Sequence, residues 1–168
     1  MRDLQEKDGR FTDTAPVTDA FGGILWGSAG IIVAWESYLQ YEDVSLLAEH
    51  YDAMKRYTDF LKTHLNPVTG IQSESLLGDW LSPEGYKNDD TILWDAYYAY
   101  DLETMQKVAS ILGKTDDAIH FEQEYTAQAG QRHAQFKQVE AAPLGNLQQV
   151  LGKQPCHRQG QLRGAQAQ

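Results

Sequence analysis

Two tryptophans sit where a helix is not expected to claim them. Trp26 closes the glycine-rich run Phe21-Gly22-Gly23-Ile24-Leu25-Trp26-Gly27, and Trp80 lies in Leu77-Gly78-Asp79-Trp80-Leu81. A loop-borne indole presents a flat apolar plate that a pyranose ring can stack on, or it plugs the core beneath its loop, and Asp79 beside Trp80 can cap or brace that loop. Other groups that could do chemistry read more plainly. Glu84, Asp89, Asp90 and Asp95 could be paired for glycoside hydrolysis, but solvated loop charge and complementarity to a helix N-terminus explain them better. His50, His64 and His120 have no cysteine or carboxylate at metal-ligand spacing, and His133 and His157 stand with Cys156 near the C-terminal end, so neither a metal nor a cofactor is expected. Gly22-Gly23 lacks the Gly-x-x-x-x-Gly-Lys pattern of a phosphate loop.

The elements that must position these groups are helical. Ser28 is read as the N-cap of a first helix carrying Ile31, Ile32, Trp35, Tyr38 and Leu39 to about Tyr41. Asp43 caps a second, in which Leu46, Leu47, Tyr51, Met54, Tyr57, Leu61 and Leu65 recur at helical spacing until Asn66-Pro67 stops it. So short a link makes the two an antiparallel hairpin. After a loop from Val68 to Asn88, a third helix runs from about Asp90 to Leu112 with Gly113 as its C′ residue. Thr115 then caps a fourth, reaching about Tyr125. Trp35 and Trp94 fall mid-helix among apolar residues and read as core.

Bulk properties bound the function classes. The 168 residues are 42% hydrophobic, with four tryptophans and nine tyrosines, enough for one domain with a core. A formal net charge of −10 opposes binding to nucleic acid or an anionic membrane. One cysteine, Cys156, allows no internal disulfide. Residues 1–8 are charged and lack the apolar stretch of a signal peptide, which leaves the localisation of any parent enzyme open. Past Gly130 the character changes. Residues 131–168 hold one acid, Glu140, against five bases, are rich in Gln, and keep no amphipathic period, so they are expected to form a divergent, disordered tail. A coding frameshift would leave such a boundary.

Four stretches carry a resemblance. They are Asp8-Gly9-Arg10-Phe11-Thr12-Asp13-Thr14-Ala15-Pro16, Phe21 to Ile31, His50-Tyr51-Asp52-Ala53-Met54-Lys55-Arg56-Tyr57, and Leu77 to Leu81. Met105 to Gly113 also fits. In this order and spacing the chain resembles the helical catalytic domain of glycoside hydrolase family 78, the α-L-rhamnosidases. The resemblance implies an all-α fold, a partial (α/α)6 toroid of antiparallel helical hairpins over residues 1–130. It implies an inverting hydrolysis of terminal α-L-rhamnosides in a full-length enzyme, by a general acid and a general base on opposite ring faces. It places Trp26 and Trp80 in the sugar pocket with Asp79 at its rim. The Asp-x-x-x-Arg-x-Glu-Arg-x-Gly-Trp-x-Gly-Asp run that holds the family's acid does not occur here, and its base is expected far downstream. No catalytic residue is therefore assigned. Where many relatives read Trp-Gly-Asp-Ala, this chain has Trp26-Gly27-Ser28-Ala29, which removes a charged acceptor.

The expected partner is a rhamnose-containing carbohydrate or glycoside, with self-association through apolar faces that a partial toroid leaves uncovered. Two other readings stand beside a hydrolase fragment: a non-catalytic carbohydrate-binding module, and a helical scaffold without ligand.

Overall fold

The computed structural model describes residues 2–15, 21–66, 70–71 and 91–141, with side chains placed for 2–15, 21–66 and 93–130. A 3-10 turn, Arg2–Leu4, leads to five α-helices: α1 (Ile24–Gly27), α2 (Ala29–Tyr41), α3 (Val44–Thr63), α4 (Thr91–Ile111) and α5 (Thr115–Ala141). Between α3 and α4, β1 (Leu65–Asn66) pairs antiparallel with β2 (Gly70–Ile71). The fold is otherwise helical.

The helix ends follow from local chemistry. Asp43 is the N-cap of α3, accepting from the Ser45 N–H at 2.8 Å; the Ser45 hydroxyl first and then that N–H hold its carboxyl below the usual carboxylate range. Glu42 takes the left-handed conformation (φ 55°) that closes α2, its N–H donating to Tyr38 O at 2.7 Å. Gly113, at φ 70°, turns the chain out of α4 as a C′ glycine should, with the Lys114 N–H returning to Ala109 O. α3 stops at Thr63, short of Asn66-Pro67, because Leu65 and Asn66 leave helical geometry to pair with β2. α5 runs on past Tyr125 and Gly130 to Ala141. Residues 131–141, Gln-Arg-His-Ala-Gln-Phe-Lys-Gln-Val-Glu-Ala, are nearly all good helix formers, so they sustain a helix without an apolar period.

The helices pack as two pairs, α2 with α3 and α4 with α5, joined where α4 meets both α2 and α3. The core lies at that junction. Leu47, Tyr51, Met54, Tyr57 and Leu61 form the buried stripe of α3, and Tyr98, Leu102, Met105 and Val108 that of α4. Phe121 joins from α5 and Ile31 from α2. Trp35, tilted against Tyr38, and Trp94 pack partly buried against this core. Adjacent tyrosines divide: Tyr98 is buried, whereas Tyr97 and Tyr100 lie in the outer half of α4.

At its rim the core is pinned by polar contacts. The Asp117 carboxylate of α5 pairs with Lys55 and accepts from Tyr51 Oη at 2.7 Å, so both partners hold it below its usual range. Gln5 Nε2 donates to Gly9 O at 2.7 Å and Ala53 O at 2.8 Å, tying the N-terminal segment to α3. That segment then delivers Phe11 inward. The Phe11 ring lies 5.2 Å from that of Tyr57 and presses on Gly30 of α2, where an added Cβ would come within 2.2 Å of it. Gly27 is a second notch of the same kind: a Cβ there would meet Tyr57 Oη at 2.3 Å. Two of the sequence stretches that carry the resemblance thus interlock, ring into glycine.

Candidate functional site

Trp26 occupies the third position of the single-turn helix α1 and is 47% exposed, the most open tryptophan among the described residues. Its flanks are not. Ile24, Gly27 and Ser28 are all buried, so the turn is anchored on both sides of a projecting indole. Trp80 and Asp79, with Glu84, Asp89 and Asp90, lie outside the described residues.

The anchoring is concentrated on one carbonyl. Ile24 O accepts from Tyr57 Oη at 2.9 Å, from Ser28 Oγ at 3.0 Å and from Ser28 N at 3.0 Å. Ser28 is the residue before α2, as the sequence suggests, but it does not cap with its side chain: its own φ and ψ are helical and its hydroxyl turns back to α1. On its other side, Ser28 Oγ meets Asp101 Oδ2 of α4 at 2.5 Å.

Asp101 is fully buried, and its Oδ1 has no hydrogen-bond partner among the described residues. Burial pushes its carboxyl well above the usual carboxylate range, against a smaller opposing pull from the Ser28 hydrogen bond. Tyr57 is raised for the same first reason and then by the negative charge Asp101 would carry. The proton inventory agrees with a neutral acid. Ser28 has one hydroxyl hydrogen and two acceptors in reach, Ile24 O and Asp101 Oδ2. With the carboxyl protonated, Asp101 donates to Ser28 Oγ and Ser28 donates to Ile24 O, and each hydrogen has one acceptor.

Sequence reasoning passed over Asp101. Its signal was there: an acid set between Tyr98, Leu102 and Met105, on a helix apolar along most of its length, stands on the buried face. Asp95 is a second buried acid of α4, accepting from Gln128 Nε2 of α5 at 3.3 Å. Among the described residues no group of three His, Cys, Asp or Glu could hold a metal ion, and no helix is long and apolar enough to cross a membrane.

Comparison with known proteins is consistent across sequence and structure. Residues 1–149 match the family model for the bacterial alpha-L-rhamnosidase 6 hairpin glycosidase domain. An alpha-L-rhamnosidase of Streptomyces avermitilis is 34% identical over 120 residues, covering 68% of this chain and 11% of that protein. One from Formosa agariphila is 29% identical over 118 residues, covering 62% of this chain and 12% of its own length. Among solved structures, an alpha-L-rhamnosidase from Dictyoglumus thermophilum superposes with a TM-score of 0.70 at 28% identity, over 77% of this chain and 15% of that one. The S. avermitilis enzyme complexed with L-rhamnose gives 0.67 at 27% identity, over 83% and 13%. The chain spans a small fraction of the length of each of these relatives, and the helical pairs described above are part of a six-hairpin toroid. The chain belongs to the family of bacterial α-L-rhamnosidase six-hairpin glycosidase domains.

Proposed function

We propose that this chain forms part of the L-rhamnose-binding wall of an inverting α-L-rhamnosidase-like hydrolase, with Trp26 as the stacking plate and Trp80 and Asp79 as its companions. The observation that carries the reading is the half-exposed indole of Trp26 on a turn whose neighbours are buried and hydrogen-bonded from beneath. A plate that must meet a flat ring gains from being fixed before the ligand arrives, because less ordering entropy is lost on binding. The apolar face of a pyranose and the indole then exclude water from each other.

The same reading holds that this chain does not cleave the glycosidic bond itself. A general acid needs both a raised pKa and reach to the leaving oxygen. Asp101 meets the first condition and fails the second: it is sealed in the core and committed to Ser28. Asp95 is likewise buried against α5. The test has two parts. The purified chain should release no nitrophenol from p-nitrophenyl α-L-rhamnoside, yet Trp fluorescence should report L-rhamnose binding. Trp26→Ala should weaken that binding by more than about tenfold, the scale of a hot-spot aromatic. Turnover by the chain alone, or unchanged binding in the variant, would overturn the reading.

The exposed apolar side chains favour a second property. Val33 and Leu39 stand open along α2, Tyr41 and Val44 where α2 turns into α3, and Leu93, Tyr97 and Tyr100 on α4. We propose that these faces drive self-association of the chain on its own. Light scattering at rising concentration should show a growing mean mass, and a constant monomer mass would contradict it.

A further inference from the structure

We propose that Asp101 is a positioning residue for the sugar-facing turn, holding Trp26 in place through Ser28 and the Ile24 carbonyl. The inference rests on the sugar-binding reading of Trp26 and deepens it. Its basis is geometric. Trp26 has no described side-chain hydrogen bond of its own, so its orientation depends on the backbone of α1. That backbone is fixed at Ile24 O, where the Ser28 and Tyr57 hydroxyls converge at 3.0 and 2.9 Å. Tyr57 is held independently by Gly27, whose missing Cβ lets the phenol approach. The Ser28 hydroxyl is fully buried and meets Asp101 Oδ2 at 2.5 Å on its other side. A serine hydroxyl can rotate, and Ile24 O at 3.0 Å and Asp101 Oδ2 at 2.5 Å hold the Ser28 oxygen between them. Asp101 reaches the turn from α4, 73 residues away in sequence, so it also locks α1 to the second helical pair. An acid buried without a full set of partners is retained at a cost to stability, and here the cost coincides with a contact one residue pair away from the exposed indole.

The chain labelled with 5-fluorotryptophan gives one 19F resonance for each of its four tryptophans, and Trp26→Phe assigns that of Trp26. Asp101→Ala and Ser28→Ala should each shift and broaden the Trp26 resonance while leaving those of Trp35 and Trp94 in place. Asp101→Asn, whose amide can donate to Ser28 as the neutral acid does, should restore the Trp26 resonance. L-rhamnose affinity should fall about fivefold in the two alanine variants, the effect of one lost hydrogen bond, and stay near the unaltered value in Asp101→Asn. Should Asp101→Ala not fold, Ser28→Ala decides alone, since it deletes one oxygen from a small buried side chain. A Trp26 resonance unmoved in Ser28→Ala overturns the positioning role. A sugar response that persists at full strength in both alanine variants overturns it as well, with Trp26 binding intact. No response to L-rhamnose in the unaltered chain instead overturns the reading of the site on which the proposal rests.

Discussion

Gly30→Ala should lower the midpoint of thermal unfolding by up to roughly 10 °C. The added methyl would sit 2.2 Å from one edge carbon of Phe11 and 2.8 Å from another, well inside contact distance. Phe11 cannot step aside. It is 1% exposed, with Tyr57 on one side and α2 on the other, and Tyr57 is itself sealed at 0%. Overpacking of a closed core costs about 1–3 kcal/mol, and a domain of this size loses roughly 4–5 °C per kcal/mol. The helix propensity gained by alanine over glycine, about 1 kcal/mol, offsets only part of this. A differential scan of the variant and of Phe11→Leu/Gly30→Ala checks it. The double variant should be less damaged than the two single changes added together, because the smaller ring makes room for the methyl. Strict additivity would mean the two residues do not interlock.

Asp101→Asn should invert its effect on stability as pH rises. Asp101 has a folded pKa well above its ordinary value, because burial disfavours the charged form. A raised pKa contributes stability that is fully present below the unfolded value, near 4, and is lost as pH climbs toward the folded value. Over that window the unfolded chain releases the proton and the folded chain keeps it. The groups facing the carboxyl are Ser28 from the α1–α2 junction and Tyr57 from α3, and neither carries positive charge to relieve it. Asparagine has no proton to lose, so its curve lacks this slope. At pH 4 the variant should be equal to or slightly less stable than the unaltered chain, since one amide hydrogen gains no partner. At pH 8 it should be more stable by about 1–3 kcal/mol, the scale of a buried polar group's desolvation. Both should share an acid limb from Asp117, whose lowered pKa gives stability that is lost only below about pH 4, outside the window in which the two curves differ. Urea titrations from pH 4 to 8 measure this, and two parallel curves would contradict a neutral Asp101.

Some of this architecture was legible in the sequence for identifiable reasons. Asp43 and Gly113 mark helix ends because a side chain or a φ preference does one job regardless of context, whereas Thr115, expected as an N-cap, is the first residue of α5 itself. The stripe of α3 is readable because one face is buried and the other is not. α4 is harder: apolar nearly all round, it does not reveal from periodicity that Tyr98 turns inward and Tyr97 outward. Ser28 reads in the sequence as the N-cap of a first helix; it does stand before α2, but its hydroxyl bonds back to α1, because a serine before a helix has several acceptors and only the tertiary partner chooses among them. Asp101 depended on that same distant partner. The short helix around Trp26 is hidden in a glycine-rich run in which Gly27 serves close packing against Tyr57 and Gly23 takes a φ of 101° just before the turn. Of the residues the resemblance implies for a sugar site, Trp26 is exposed, whereas Trp80 and Asp79 fall outside the described residues.

The most direct test is saturation-transfer NMR on free L-rhamnose in the presence of the whole chain. Irradiating the protein's aromatic resonances should saturate the C–H protons of one face of the sugar ring, and Trp26→Ala should abolish the transfer while its unfolding midpoint stays unchanged. Transfer of equal strength in the folded variant, or none from the unaltered chain, would show that the indole of residue 26 is not where the sugar rests.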